Sequence, residues 1–95
     1  MAKQFKSIMQ DKKECYLTHV TYDLVVHHVM NGHAERKKSD QDGLVIYLND
    51  SVHRYLHETH EGRQKMYELK AAAQEAYEET QSHEEWMRRY GKNYL

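Results

Sequence analysis

Proline is absent from the chain, cysteine, tryptophan and phenylalanine occur once each, and glycine occurs only four times in 95 residues. A single cysteine, Cys15, excludes an intrachain disulfide and a four-cysteine zinc site, and it fits a reducing, cytoplasmic compartment. No run of 18 apolar residues is present, so there is no candidate membrane-spanning helix, and Met1-Ala2-Lys3-Gln4-Phe5-Lys6 lacks the apolar stretch of a signal peptide. Excess charge is missing too. The net charge of −1 is not the bulk signature of a nucleic-acid binder. There is no internal repeat and no low-complexity segment.

What is present suits one small domain. Hydrophobic residues make up 39% and charged residues 31%, with eight tyrosines and eight histidines. Leu, Ile, Val and Phe are sparse, so the core is expected to be thin and rimmed by tyrosine. A bound metal or a partner chain can supply stability that such a core lacks. The charge is uneven. Residues 1–40 carry seven Lys/Arg and five Asp/Glu, for +2, and residues 41–95 carry seven and ten, for −3. Contact with DNA is therefore expected mainly from the first half, where Arg36-Lys37-Lys38 is the densest basic cluster; against that stands the ordinary solvated loop.

Residues 1–13, polar and lysine-rich, read as a flexible arm. Cys15-Tyr16-Leu17-Thr18 is short and β-prone, with Cys15 as a buried, inert thiol. Thr21-Tyr22-Asp23 reads as a bend, and Leu24-Val25-Val26 as a strand that delivers His27-His28. Residues 30–42 read as a long basic loop that opens on Asn31-Gly32 and closes at Asp42-Gly43. Leu44-Val45-Ile46-Tyr47-Leu48 is the clearest strand. Asn49-Asp50-Ser51 offers helix N-caps, and the helix that follows carries His53 and His57, with Gly62 as a break or kink. Met66, Leu69, Ala73, Ala76, Tyr77 and Thr80 form one helical stripe, as core or as part of a homodimer contact. Ser82-His83-Glu84-Glu85 reads as a capping box. It opens a last helix that presents Trp86, Met87 and Tyr90 and stops at Gly91.

The histidines carry the chemistry. His53 and His57 stand at i and i+4, so a helix puts both on one face. His27 and His28 are adjacent in a strand, so they point to opposite sides. His27, His53 and His57 can then share one divalent ion such as Zn²⁺, Ni²⁺ or Mn²⁺, with open positions for water and a phosphate oxygen. His28, beside the ion but not on it, is of the right chemical type to deprotonate an attacking water. His60, three residues after His57, is the alternative to His53. Against these readings stand a strand that simply ends in two surface histidines and a solvated helix face. His19, His33 and His83 read as surface residues. The tyrosines can stack on bases or pack as rims.

The pattern His27-His28, loop, apolar strand, then His53-x-x-x-His57 resembles the ββα-metal site of HNH endonucleases, with spacing close to that of DNase colicins. The likeness to small phage-encoded HNH-like proteins extends to Glu14-Cys15-Tyr16-Leu17-Thr18, His27-His28-Val29, Asp42-Gly43 and Gly91-Lys92-Asn93-Tyr94-Leu95. It implies an α+β fold: a β-hairpin plus helix over about 14–61, followed by C-terminal helices over about 62–91, in a single domain of residues 14–95. It implies His28 as general base and His27 and His57 as metal ligands, with His53 as the remaining ligand or the motif's final histidine. The implied function is metal-dependent hydrolysis of DNA in a bacterial host cell, with one divalent metal (Zn, Mg, Mn or Ni). Many members have an asparagine before the second strand and two C-x-x-C pairs. Here Asp42-Gly43 stands at the first place, Cys15 is followed by Thr18, and the helix start holds Asn49-Asp50-Ser51-Val52. These departures open the alternative of a protein that no longer cuts and instead binds a host defence nuclease, as an anti-CRISPR or other anti-defence inhibitor. Its acidic helices, with Glu75, Glu78, Glu79, Glu84 and Glu85, would then meet a basic surface.

Overall fold

β-Branched and alternating residues place Leu24–His28 in a first strand, β1, and Val45–Asn49 in a second, β2. The strands pair antiparallel, with Leu24 opposite Asn49 and His28 opposite Val45. The computed structural model describes residues 6–95, and of His33 the backbone alone. Within that span the fold is α+β: the two strands plus helices α1 (His33–Asp42), α2 (Asp50–Glu58), α3 (His60–Glu78) and α4 (His83–Tyr90). No helix among the described residues is long and apolar enough to cross a membrane.

The stretch expected as a long basic loop is helical. Ala34, Glu35, Arg36, Lys37, Lys38 and Gln41 all favour helix, but no apolar residue recurs there at helical spacing. Among its described side chains only that of Ser39 is buried. That one residue ties helix α1 to the strand before it. The Ser39 hydroxyl donates to the Met30 carbonyl at 2.8 Å and accepts the Met30 N–H at 3.0 Å, which pins α1 to the end of β1. Gly43, in the left-handed region at φ 73°, then turns the chain into β2, and the Leu44 N–H reaches back to the Ser39 carbonyl at 2.8 Å.

Residues 15–18, expected as a short strand, form a turn. The Cys15 N–H bonds the Val20 carbonyl at 2.7 Å, and the His19 N–H returns to the Cys15 carbonyl at 2.8 Å. The Tyr16 N–H reaches the Tyr47 carbonyl at 2.9 Å. Local pairing thus captures both backbone groups of Cys15, and the Tyr16 N–H alone reaches β2. The Cys15 thiol is buried, as expected. Burial raises its pKa, but hydrogen bonds from the Thr18 hydroxyl and the N–H groups of Asn49, Thr18 and Leu17 outweigh it and bring the thiol below its ordinary value. Of the expected arm, residues 1–5 lie outside the described residues. Beyond them the segment is docked. The Ile8 N–H bonds the Gly43 carbonyl at 2.9 Å, Met9 packs on the core, and the Gln10 side chain accepts the Tyr47 N–H at 2.9 Å. It satisfies groups on the free edge of β2.

Asn49 caps α2, its side chain accepting the Ser51 N–H at 3.0 Å, and its amide donates to the Tyr22 carbonyl at 3.1 Å. The start of α2 is thereby tied to the entry of β1. The break expected at Gly62 falls at Thr59, which ends α2 in extended geometry and caps α3 by accepting the Gly62 N–H at 2.8 Å. Gly62 has a different task. A Cβ there would lie 2.1 Å from the Tyr55 carbonyl oxygen and 2.7 Å from the Leu56 Cα, so the α2–α3 turn closes only over a hydrogen atom. Gly62→Ala is expected to lower unfolding free energy by about 3 kcal/mol, read as a shift of the urea midpoint at constant slope.

Leu44, Ile46 and Leu48 are fully buried, met by Leu56 from α2, Leu69, Ala73 and Tyr77 from α3, and Trp86 and Tyr90 from α4. The stripe on α3 therefore packs into this chain's own core at Leu69, Ala73 and Tyr77. Asp42, at the end of α1, accepts from the Arg89 guanidinium at 2.7 Å and the Tyr90 hydroxyl at 2.6 Å, which locks α4 to α1. Burial and that carboxylate hold the Tyr90 hydroxyl well above its ordinary pKa.

Candidate metal centre

Strand alternation does what the sequence suggests. His27 points inward from β1 and is 3% exposed, while His28 turns to the other side. Helix α2 packs against β1 and presents His53 and His57 one turn apart towards His27. The ring centroids of His27 lie 5.3 Å from His53 and 5.8 Å from His57, and those of His53 and His57 are 4.6 Å apart. One ring nitrogen from each of the three lies within 4.8 Å of the others, so these residues could hold a metal ion. The Nε2 atoms of His53 and His57 are 3.3 Å apart. Two nitrogens bound to one tetrahedral zinc at ordinary Zn–N lengths stand about 3.3 Å apart.

Two observations test the fit of an ion to this place. The Nε2 of His27 is buried and is the only buried side-chain polar atom among the described residues without a hydrogen-bond partner. Unpaired buried polar atoms are rare, and each calls for a partner of some kind. Second, His27 and His53 are both biased towards the neutral imidazole, which is the ligand form. Burial, then the neighbouring His53 and His57, pushes the His27 pKa down to about 3. Burial and His57 lower that of His53. All the donors are nitrogen, a set that suits zinc or nickel better than the oxygen-seeking magnesium.

The histidines open onto a cleft of about 430 Å³ lined also by His28, Asn31, Gly32 and Arg36. His28 hydrogen-bonds through Nε2 to the Asp40 carboxylate at 3.0 Å. An ionised carboxylate only accepts, so Nε2 carries the proton and Nδ1 is the basic nitrogen. Asp40 is held in place because Ser39, its neighbour on α1, is bonded to the end of β1.

The basic cluster divides. Arg36 lines the cleft and Lys37 is exposed, while Lys38 turns to α4 and donates to the Arg89 carbonyl at 2.6 Å. His60, the alternative to His53, is exposed and meets Gln64 at 3.3 Å, outside the three-histidine group. His19 and His83 are exposed and lie against Glu14 and Glu78. Asp40 is the residue that sequence reasoning missed. Its signal was its spacing from Arg36: at i and i+4 the two share a helix face, but the face exists only once residues 33–42 are read as helix. No family model, curated protein or solved structure matches this chain.

Proposed function

We propose that the chain is an HNH-like, metal-dependent DNA endonuclease that hydrolyses phosphodiesters at the His27–His53–His57 centre. The observation that carries the reading is the buried His27, its Nε2 without a partner, grouped with two further imidazoles, with His28 on the other side of the same strand and in the same cleft. A bound divalent ion there supplies stabilisation of the charge on a phosphate oxygen and on the leaving oxygen. The chain's own residues do the rest. His28 takes the proton of the attacking water at Nδ1. Asp40 fixes the tautomer and orientation of its ring, and Arg36 offers charge to the phosphate within the cleft.

Purified protein is incubated with supercoiled plasmid and Zn²⁺, Ni²⁺, Mn²⁺ or Mg²⁺, beside a chelator control and His28→Ala. Metal-dependent nicking that His28→Ala loses is the expected result. No cleavage by folded, metal-loaded protein with any of the four ions overturns the endonuclease reading and leaves the alternative, capture of a host defence nuclease through the acidic helices. That alternative draws on fewer free carboxylates than the sequence offers. Glu78 is engaged by Gln74 and His83, and Glu85 by Arg88, while Glu75, Glu79 and Glu84 stay exposed.

A further inference from the structure

The acidic balance of residues 41–95 conceals a local basic surface. On α3, Arg63, Tyr67 and Lys70 stand at i, i+4 and i+7 and share one face. Continuing that line, Gln74 is fully buried and its side chain bonds the C-terminal tail as well as Glu78. Its amide nitrogen donates to the Asn93 side chain at 2.8 Å, and its oxygen accepts the Tyr94 N–H at 2.6 Å. The Trp86 indole N–H adds a bond to the Lys92 carbonyl at 2.8 Å. The tail is thus fixed by a buried glutamine and a buried tryptophan, and this brings Lys92 and Tyr94 beside Tyr67 and Lys70. The Tyr67 and Tyr94 rings meet edge to face at 5.1 Å. The Lys92 ammonium lies 5.1 Å from the Tyr67 ring centre and 5.3 Å from that of Tyr94, and the Lys70 ammonium 5.9 Å from that of Tyr94.

Two features single this surface out. Arg63, Lys70 and Lys92 have no carboxylate partner among the described residues, whereas Lys65 on the same helix faces Glu68 at 3.9 Å and Arg88 on α4 is paired with Glu85. Lys70 and Lys92 stand close enough to repel each other, so burial and Lys92 together lower the pKa of Lys70. Unpaired cations converging on tyrosine rings are poor internal packing. They suit a ligand that brings both anionic oxygens and flat apolar faces, and a nucleic-acid strand brings both.

We propose that Arg63, Lys70 and Lys92, with Tyr67 and Tyr94, form a nucleic-acid contact surface that holds the phosphodiester backbone of a DNA strand. The ligand's identity as DNA rests on the endonuclease reading; the surface itself does not depend on cleavage. Tyr67, 47% exposed, offers its ring to a base.

The test is fluorescence anisotropy with a labelled single-stranded oligonucleotide and its duplex, in chelator so that nothing is cut, across a salt series. Arg63→Gln, Lys70→Gln and Lys92→Gln are each expected to weaken binding several-fold. Each should also flatten the dependence of log Kd on log salt by about 0.7 on the single strand or about 0.9 on the duplex. Lys92→Arg is expected to retain affinity, and Lys65→Gln to change nothing. Unchanged affinity and slope in the three variants, an equal loss in Lys65→Gln, or no binding by the native chain overturns the surface. Plasmid nicking separates the two readings. Loss of affinity in these variants without any nicking by the native chain sustains the surface and removes the nuclease. Nicking sensitive to His28→Ala, with affinity and slope unchanged in all three, removes the surface and sustains the nuclease.

Discussion

Zinc at about 100 times its dissociation constant is expected to raise the melting temperature of the native chain by about 10–20 °C and that of His27→Leu hardly at all, while in chelator His27→Leu is expected to melt above the native protein. The first half follows from linkage. Binding only to the folded state at that concentration adds about 2.7 kcal/mol, and a domain of this size gains about 4–8 °C per kcal/mol. His53 and His57 alone, one turn apart on a helix, lack the buried third donor that makes the group selective for the folded chain. The second half follows from the partnerless His27 Nε2. An unsatisfied buried polar atom costs about 1–3 kcal/mol, and leucine removes it while filling most of the same space. A residue kept for packing would behave in the opposite way, its loss lowering stability with or without metal. The acid response in chelator has a definite sign. His27 takes up its proton near 6.5 in the unfolded chain and only at about 3 in the folded one, so between those values the unfolded state binds more protons. Its contribution to stability is complete above pH 6.5 and is lost as pH falls towards 3, and His27→Leu removes that slope. Differential scanning fluorimetry with zinc, with chelator and across pH reads all three. A His27→Leu variant that melts lower in chelator and still responds fully to zinc would remove His27 from the ligand set.

The parts of the fold that were legible in the sequence are those that local chemistry specifies. β1 and β2 show as β-branched runs, Asn49 and Ser82 as caps, and the α3 and α4 faces as apolar stripes. The three-histidine group was legible because strand and helix periodicities are rigid rules: His27 inward, His53 and His57 on one face. Helix α1 was not, because its stability comes from propensity, from Ser39 and from the Asp42–Arg89–Tyr90 lock rather than from an apolar stripe. That one error hid Asp40, since a loop gives no reason to place it on His28, and it made Arg36, Lys37 and Lys38 look like a single patch when a helix points them different ways. The tail surface was illegible for another reason. Lys70 and Lys92 are 22 positions apart, and only the bonds of Gln74 and Trp86 to the tail bring them together.

If His28 is the base, His28→Ala slows metal-dependent nicking by about 10²–10⁴-fold, the range over which a positioned general base acts, and leaves the zinc-induced rise in melting temperature intact. His28 supplies none of the three donors and turns to the other side of the strand from His27. Asp40 grades the effect. Asp40→Ala removes the acceptor 3.0 Å from His28 Nε2, so the ring loses both its orientation and the preference for a proton on that nitrogen. Losses of about 10–100-fold are usual for a partner that orients a working histidine. Asp40→Asn keeps an oxygen able to accept the Nε2 proton and loses only the charge that steadies a protonated ring, so it falls between Asp40→Ala and the native rate. Neither variant touches the Ser39–Met30 pair that holds α1 on β1, so melting temperatures in chelator should stay within a few degrees of the native value. The order native, Asp40→Asn, Asp40→Ala, His28→Ala, at equal metal response, is the pattern of one oriented base. Equal nicking by all four would mean that the proton is taken elsewhere, and a parallel fall in metal response would make His28 and Asp40 supports of the metal centre.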